Sequence, residues 1–397
     1  MRKTIKAYCN FFVMIISVIL VIYVAFFTDI PTKTGNIIRL KIEETRDVHE
    51  TYSKDFYIND LGISMNTYYY DRLNDEQKKI YSAIANSVKT FKNEFAIRDY
   101  VAGDKDVFAT EVSIAIEAFI NDHPEVFYLQ SQYSSYVVSN FEGNIGYVKL
   151  NYTEEDTNVI NQKIELMKEK IQEYLKEVEG MSDYEKEVAI HDKLAYTVTY
   201  SDLVELPRKY HTVEGTLLEG IGVCDGFTKS LQLIYDAVGI DSIIVLGTLD
   251  NNPHAWNLVK LDNEWYNVDI TSSRSIYGET GIINHAYFNL TTEKMKRVAT
   301  FDNEDIIPEA NSTKYDYYEH NGYILDETQD IYDQLNSVYQ NFKDKEYMEF
   351  YFKGNVSDNI STMLRALRNI DTSFLDGTKM YYYNIENAII IPKNKLN

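Results

Sequence analysis

Gly222-Val223-Cys224-Asp225-Gly226 opens the stretch that decides the fold, and Pro253-His254-Ala255-Trp256-Asn257-Leu258-Val259 and Trp265-Tyr266-Asn267-Val268-Asp269 complete it. Phe227, Leu231, Ile234 and Val238 recur at helical spacing, which predicts a helix with Cys224 in its first turn. A thiol there meets the positive end of the helix macrodipole, and an imidazole nearby further favours the thiolate. Ile243 to Leu246 reads as an apolar strand. Residues 254 to 261 and 264 to 270 alternate about the turn pair Asp262-Asn263, the pattern of an antiparallel hairpin. With those two residues as the loop, Leu261 faces Glu264 and Trp256 faces Asp269. His254 then lies one diagonal from Asp269 on the same face, within reach for a carboxylate to orient an imidazole.

Taken singly, a cysteine is a small buried hydrophobe and a strand histidine a surface or satisfied core residue. Jointly, a cysteine at a helix start followed by His and Asp on paired strands is the set that nucleophile, base and orienter require. Cys224, His254 and Asp269 are the candidate catalytic residues. They lack the close ligand pairs of a zinc motif, so neither metal nor cofactor is expected.

The run from Gly215 to Phe227, followed by His254-Ala255-Trp256-Asn257-Leu258-Val259 and Trp265 to Asp269, resembles the bacterial transglutaminase-like superfamily. The likeness extends upstream to Ile190-His191-Asp192 with Tyr200 and to Asp122-His123-Pro124-Glu125-Val126-Phe127-Tyr128-Leu129, and downstream to Tyr287-Phe288-Asn289-Leu290. It covers roughly residues 110 to 300. The resemblance implies an α+β, papain-like core, a cysteine-bearing helix on an antiparallel sheet, with Cys224 as nucleophile, His254 as base and Asp269 as orienter. Relatives usually continue past the aspartate with Thr-Trp-Asp, whereas this chain reads Ile270-Thr271-Ser272-Ser273, which weakens any carry-over of substrate preference. His211 resembles a position where relatives often carry His near the cleft, and Trp256 shares the His254 face. Both are candidate substrate-binding residues, with packing the commoner role for a strand tryptophan.

The chain has 397 residues, of which 45% are apolar, enough for two or three domains with sizeable cores. Its 61 acidic and 39 basic residues give a formal charge of -22, which argues against nucleic-acid binding. Met1-Arg2-Lys3-Thr4-Ile5-Lys6 precedes an uncharged apolar run from Phe11 to Phe27. No small-residue cleavage site precedes Asp29, so the run reads as an uncleaved signal anchor with the basic end cytoplasmic and the bulk of the chain extracytoplasmic. Cys9 and Cys224 then stand apart and form no bridge, and an exported unpaired thiol is retained for chemistry.

The expected organisation is a cytoplasmic segment 1–6, a transmembrane anchor 7–27, a stalk 28–60 that also offers a cover for the cleft, a helical and strand extension 61–150, the catalytic core 151–300, a linker 301–320 and a small C-terminal α/β domain 321–397. In the extension, a helix capped at Asn74 or Asp75 runs through Phe95, a second ends before Pro124, and two strands flank Glu142-Gly143-Asn144. Thr153 to Asp156 opens a long helix, and Ser182 with Glu185 forms a capping box for the helix that carries His191, read as structural. Asp302, Glu304 and Asp305 lack the glycine and final glutamate of a calcium loop and read as solvated linker. The tyrosine clusters at 68–70, 315–318 and 381–383 read as strand packing.

The function expected is an extracytoplasmic thiol enzyme acting on amide bonds of a protein or peptide, with cell-wall or surface protein as plausible substrate. The alternative is a non-catalytic envelope adaptor that binds protein through the same cleft and the C-terminal domain.

Overall fold

The structure, a computed structural model, describes residues 52–53, 56–98, 104–140, 143–203, 205–274, 282–374, 380–383, 385 and 387–393. The cytoplasmic segment 1–6, the anchor 7–27, Cys9 and most of the stalk 28–60 lie outside the described residues. Among the described residues no helix is long and apolar enough to cross a membrane.

The extension comprises α1 (Tyr68–Asp71), α2 (Asp75–Lys89), β1 (Glu94–Ile97), α3 (Lys105–Asp122), β2 (Leu129–Asn140) and β3 (Gly143–Tyr152), with the strands in the antiparallel order β1-β3-β2. Asn74 caps α2 through a full capping box with Gln77. The expected continuation to Phe95 fails, because α2 closes in a Schellman motif: Phe91 takes a left-handed φ of 54°, the Lys92 N–H bonds the Ser87 carbonyl, and the Phe91 N–H bonds that of Val88. Glycine usually marks that motif, and a phenylalanine in its place hides it. Phe95 is buried on β1 instead. The described end of the stalk is also core, since Tyr52, Phe56 and Ile58 are buried.

The central part comprises α4 (Thr157–Glu177), α5 (Asp183–Thr197), β4 (Thr199–Tyr200), β5 (Ile221–Gly222), α6 (Cys224–Val238), β6 (Ser242–Leu249), β7 (Asn252–Leu261), β8 (Glu264–Val268), α7 (Ile270–Ser273), α8 (Thr292–Met295) and β9 (Ala299–Phe301). Asp156 caps α4, and the Ser182–Glu185 box opens α5. The sheet runs β8-β7-β6-β9, antiparallel throughout. Asp262 and Asn263 both take left-handed φ (49° and 66°), the backbone of a two-residue hairpin loop, and Leu261 pairs with Glu264 as the turn pair predicts.

Helix α6 packs on β6 and β7 through its apolar stripe. Phe227, Leu231 and Ile234 are fully buried, each contributing about 1.5–3 kcal/mol of burial. The extension joins the same apolar core, which runs from Phe108, Phe119 and Tyr128 to Trp256 and Phe288. The motif Asp122 to Leu129 makes that junction. Buried Asp122 accepts the N–H groups of Tyr69 (3.0 Å) and Tyr70 (2.8 Å), and buried His123 bridges Glu125 (2.7 Å) and the Tyr52 hydroxyl (2.8 Å).

The C-terminal unit comprises α9 (Tyr317–Asn321), β10 (Ile324–Asp326), α10 (Ile331–Tyr339), β11 (Tyr347–Lys353), α11 (Val356–Ile370), β12 (Tyr381–Tyr383) and β13 (Ala388–Pro392), with strand order β10-β11-β13-β12. It builds a second apolar core around Leu335, Phe350, Phe352 and Leu367. Strand β10 pairs parallel to β11 and was not expected from the sequence. Nor is 301–320 a solvated linker throughout. Phe301 ends β9 on the central sheet, and Ala310, Tyr317 and Tyr318 are buried. Tyr68, Tyr69, Tyr317 and Tyr318 do pack, but on helical turns rather than on strands.

Candidate active site

Cys224 is the first residue of α6 and is partly exposed. Its N–H therefore belongs to the helix-start donors that have no intrahelical acceptor. The flanking glycines have a physical reason, because residues 208–216 fold tightly over the helix start. A Cβ on Gly226 would sit 2.5 Å from the Tyr210 carbonyl, and one on Gly222 would run into the Thr216 side chain. The same Tyr210 carbonyl accepts the Val223 N–H at 3.0 Å, which fixes the entry into α6.

His254 sits on β7 opposite Gly247, and its Nε2 is 2.9 Å from Asp269 Oδ2. Asp269 stands just past β8 and acts as the N-cap of α7, rather than continuing the strand as expected. Its Oδ1 accepts the N–H groups of Thr271 (3.1 Å) and Ser272 (3.2 Å) and the Thr271 hydroxyl (2.7 Å), while Ser272 Oγ donates to Oδ2 at 2.6 Å. The segment that departs from Thr-Trp-Asp thus holds the carboxylate in place.

The electrostatics follow from these contacts. Burial by itself would push the His254 pKa down, but the charge and hydrogen bond of Asp269, with those of Cys224, outweigh it and raise it to about 10. Burial works to raise Asp269, yet the facing imidazolium and the donors from Ser272 and Thr271 hold it below the usual carboxylate range. With Nε2 committed to Asp269, Nδ1 is the ring nitrogen left to face the thiol. Tyr200 also lies in the field of Cys224, where burial first and that charge second raise its pKa, and the Arg274 guanidinium stacks on its ring at 4.0 Å.

The two weaker candidates separate. Trp256 is fully buried, with Nε1 donating to Asn267 Oδ1 at 3.0 Å, so it is closed to substrate and forms the wall behind the His254 ring. Large aromatic area on an inner strand face is best used in the core. His211 is 39% exposed and bonds Asp225 through Nδ1 at 3.3 Å, while Asp225 Oδ1 lies 3.4 Å from the Cys224 sulfur. Asp225 is thus a site residue that the sequence reading passed over.

Residues 172–270 match the family model of the transglutaminase-like superfamily. The matched span begins within α4 and ends one residue after Asp269, so it contains Cys224, His254 and Asp269 and leaves the extension and the C-terminal unit outside. A comparison with curated proteins returns no match. Among solved structures the chain is similar to a candidate cysteine protease from Cytophaga hutchinsonii, 16% identical over 36% of this chain and 63% of that one with a TM-score of 0.24. It is also similar to a TGase, 14% identical over 50% of this chain and 53% of that one with a TM-score of 0.28. The chain therefore spans less than two thirds of either neighbour.

Behind the transglutaminase-like core lies a buried charge network that the sequence did not reveal. His285 bonds Asp192 Oδ1 through Nε2 (2.9 Å) and Glu349 Oε1 through Nδ1 (2.7 Å), and His191 Nδ1 also bonds Asp192 Oδ1 (2.9 Å). His191, Asp192 and His285 are the one group among the described residues with metal-ligand spacing. Their facing atoms are already spent on one another. Burial would lower the His285 pKa, but the Glu349 and Asp192 charges raise it to about 10. The His191 reading as structural fits this burial.

A groove of about 710 Å³ opens beside the helix start of the transglutaminase-like core. Its walls come from α3 and the segment Phe127–Tyr133 of the extension, from Ile244 and Leu246 on β6, and from Ala255 next to His254. Arg208, His211, Asp225 and Lys229 complete the lining, and Asp225 connects it to the Cys224 sulfur.

Proposed function

We propose that the chain is a thiol enzyme that transfers acyl groups from amides through a Cys224-His254-Asp269 triad. The observation that carries this reading is the His254–Asp269 hydrogen bond, formed beside a half-buried cysteine at a helix start. His254 takes the proton of the Cys224 thiol, and the sulfur attacks the amide carbonyl carbon. The oxyanion that forms meets the Cys224 N–H at the α6 terminus. The C–N bond breaks, the imidazolium returns its proton to the departing amine or ammonia, and a thioester remains. Water or a primary amine then attacks the thioester, His254 takes its proton, and the thiol is regenerated. The buried Asp269, held by four hydrogen bonds from Thr271 and Ser272, keeps the imidazole oriented throughout.

The substrate class is protein or peptide, because an open groove is lined by Asp225 and Ala255, the chain neighbours of Cys224 and His254, and the acidic surface repels polyanions. The apolar run Phe11–Phe27 with its basic flank supports a membrane-anchored enzyme whose bulk is extracytoplasmic, which makes surface or cell-wall protein the natural donor.

The test is the rate of Cys224 alkylation against pH in the full chain held in detergent, alongside His254→Ala. Fast alkylation well below pH 8 that is lost in His254→Ala supports the reading. A thiol that stays unreactive, or whose profile ignores His254, sinks it and favours an adaptor that binds through the cleft.

A further inference from the structure

The groove beside the start of α6 carries a charge pattern that the triad does not use. Most of its wall is apolar, with Ile116, Ile120, Phe127, Leu129 and Leu246 among the lining residues. Two cations, Arg208 and Lys229, also line it. The Arg208 guanidinium donates to the Leu129 carbonyl at 2.9 Å and keeps its Nε buried without a partner. Lys229 Nζ donates to the His211 carbonyl at 3.0 Å. Lys229 follows Cys224 by five residues on α6, about 7.5 Å along the helix axis.

Among the described residues no carboxylate forms an ion pair with either of them. Asp225 acts on Lys229 through its charge, but its Oδ2 is taken by His211. The groove's other carboxylate, Glu117, has Asp302 as its charged neighbour and is raised by burial first and that charge second. The groove thus presents two cations that no carboxylate pairs directly, in a chain of net charge -22. Burial lowers the pKa of both Arg208 and Lys229, the sign of cations whose water has been removed and whose counter-charge is incomplete.

We propose that this groove is the acyl-donor subsite and that Arg208 and Lys229 select a peptide carrying a carboxylate side chain close to the reacting amide. The inference rests on the thiol-enzyme reading above and adds the substrate class to it. More than half of the residues lining the groove belong to 113–133, outside the span matched by the family model, so this chain's own extension builds most of the wall that faces the two cations' side of the core. A guanidinium and an ammonium facing one carboxylate form charge-assisted bonds stronger than those to a neutral amide of the same shape.

The experiment compares two alkylating probes, N-bromoacetyl-glutamate α-amide and N-bromoacetyl-glutamine α-amide, on the full chain in detergent. They differ by one charge. The wild-type protein should react with the acid about fivefold faster than with the amide, a factor worth about 1 kcal/mol. That ratio should fall toward one in Arg208→Met and in Lys229→Met, survive in Arg208→Lys, and be unaltered in Lys170→Met, which removes an exposed lysine on α4. The imidazolium of His254 also draws anions, and the variants separate its share from that of the groove. A wild-type ratio near one, or a ratio that persists in both methionine variants with native circular dichroism, overturns the subsite and leaves the enzyme reading standing. A thiol inert to both probes overturns the two together.

Discussion

Asp269 lies 2.9 Å from His254 and at the same time caps the turn that follows it, so one carboxylate both orients the imidazole and closes the local backbone. The double duty separates two effects of mutation. Asp269→Asn retains the shape and part of the capping but loses the negative charge facing the ring. The acylation rate of Cys224 by an amide donor should fall by about 10²–10⁴, as for loss of the orienting carboxylate in other triads. Ser272→Ala removes one of several bonds to the carboxylate and should cost far less. A stopped assay of both variants beside Asp269→Ala checks the order.

The His254–Asp269 pair should also write itself into stability against pH. The folded pKa of His254, about 10, lies above its unfolded value near 6.5, so its contribution is fully present below pH 6.5 and is lost as pH rises through 10. Asp269 is depressed, so its share is present above its unfolded pKa near 4 and is lost as pH falls below that. The stability gap between wild type and His254→Ala should be widest from about pH 4 to 6.5 and narrow toward pH 10. Urea melts at pH 5, 8 and 10 measure it, and an imidazole resonance titrating near 6.5 in the folded wild type would contradict it.

Glu349 is the strut between the C-terminal unit and the central core. It is fully buried, holds His285 at 2.7 Å and accepts the Tyr318 hydroxyl at 3.1 Å. Removing one partner strands a buried imidazolium, and Glu349→Ala should cost about 3–5 kcal/mol. The double variant Glu349→Met with His285→Leu should recover much of that loss. Denaturant midpoints of the three proteins decide it.

Glu187 makes the opposite case. Its side chain is fully buried, Oε2 accepts from Asn289 at 2.9 Å, Oε1 has no partner, and burial raises its pKa to about 8. An unfolded glutamate releases its proton near pH 4.3, so the folded state loses stability as pH rises from about 4 to 8. Glu187→Gln should flatten that slope and raise the melting temperature most at pH 8 and above. An unchanged slope would place the titration elsewhere.

Much of the site was readable because its parts are local. The apolar spacing from Phe227 to Val238 places Cys224 at a helix start, and the Asp262-Asn263 turn sets the register that brings His254 toward Asp269. The helix caps at Asn74 and Ser182 were equally local. The failures share a cause too. Phe91 ends α2 in a conformation usually marked by glycine, and Phe95 lies on a strand where the apolar stripe continues the helix. Trp256 alternates onto the face of His254, but only packing decides that this face is sealed.

By itself the sequence determined the elements that carry the chemistry, since helix spacing, strand alternation and turn residues act within a few positions of one another. It determined as well the charge of the chain and the apolar run near its start. Only the tertiary structure decided that the extension shares the central core, that Glu349 reaches back to His285, and that residues 113–133 share one groove with Arg208 and Lys229. Those relationships join residues scores of positions apart. They are set by how the finished layers pack and by which buried charges find partners, and no local pattern in the chain encodes either.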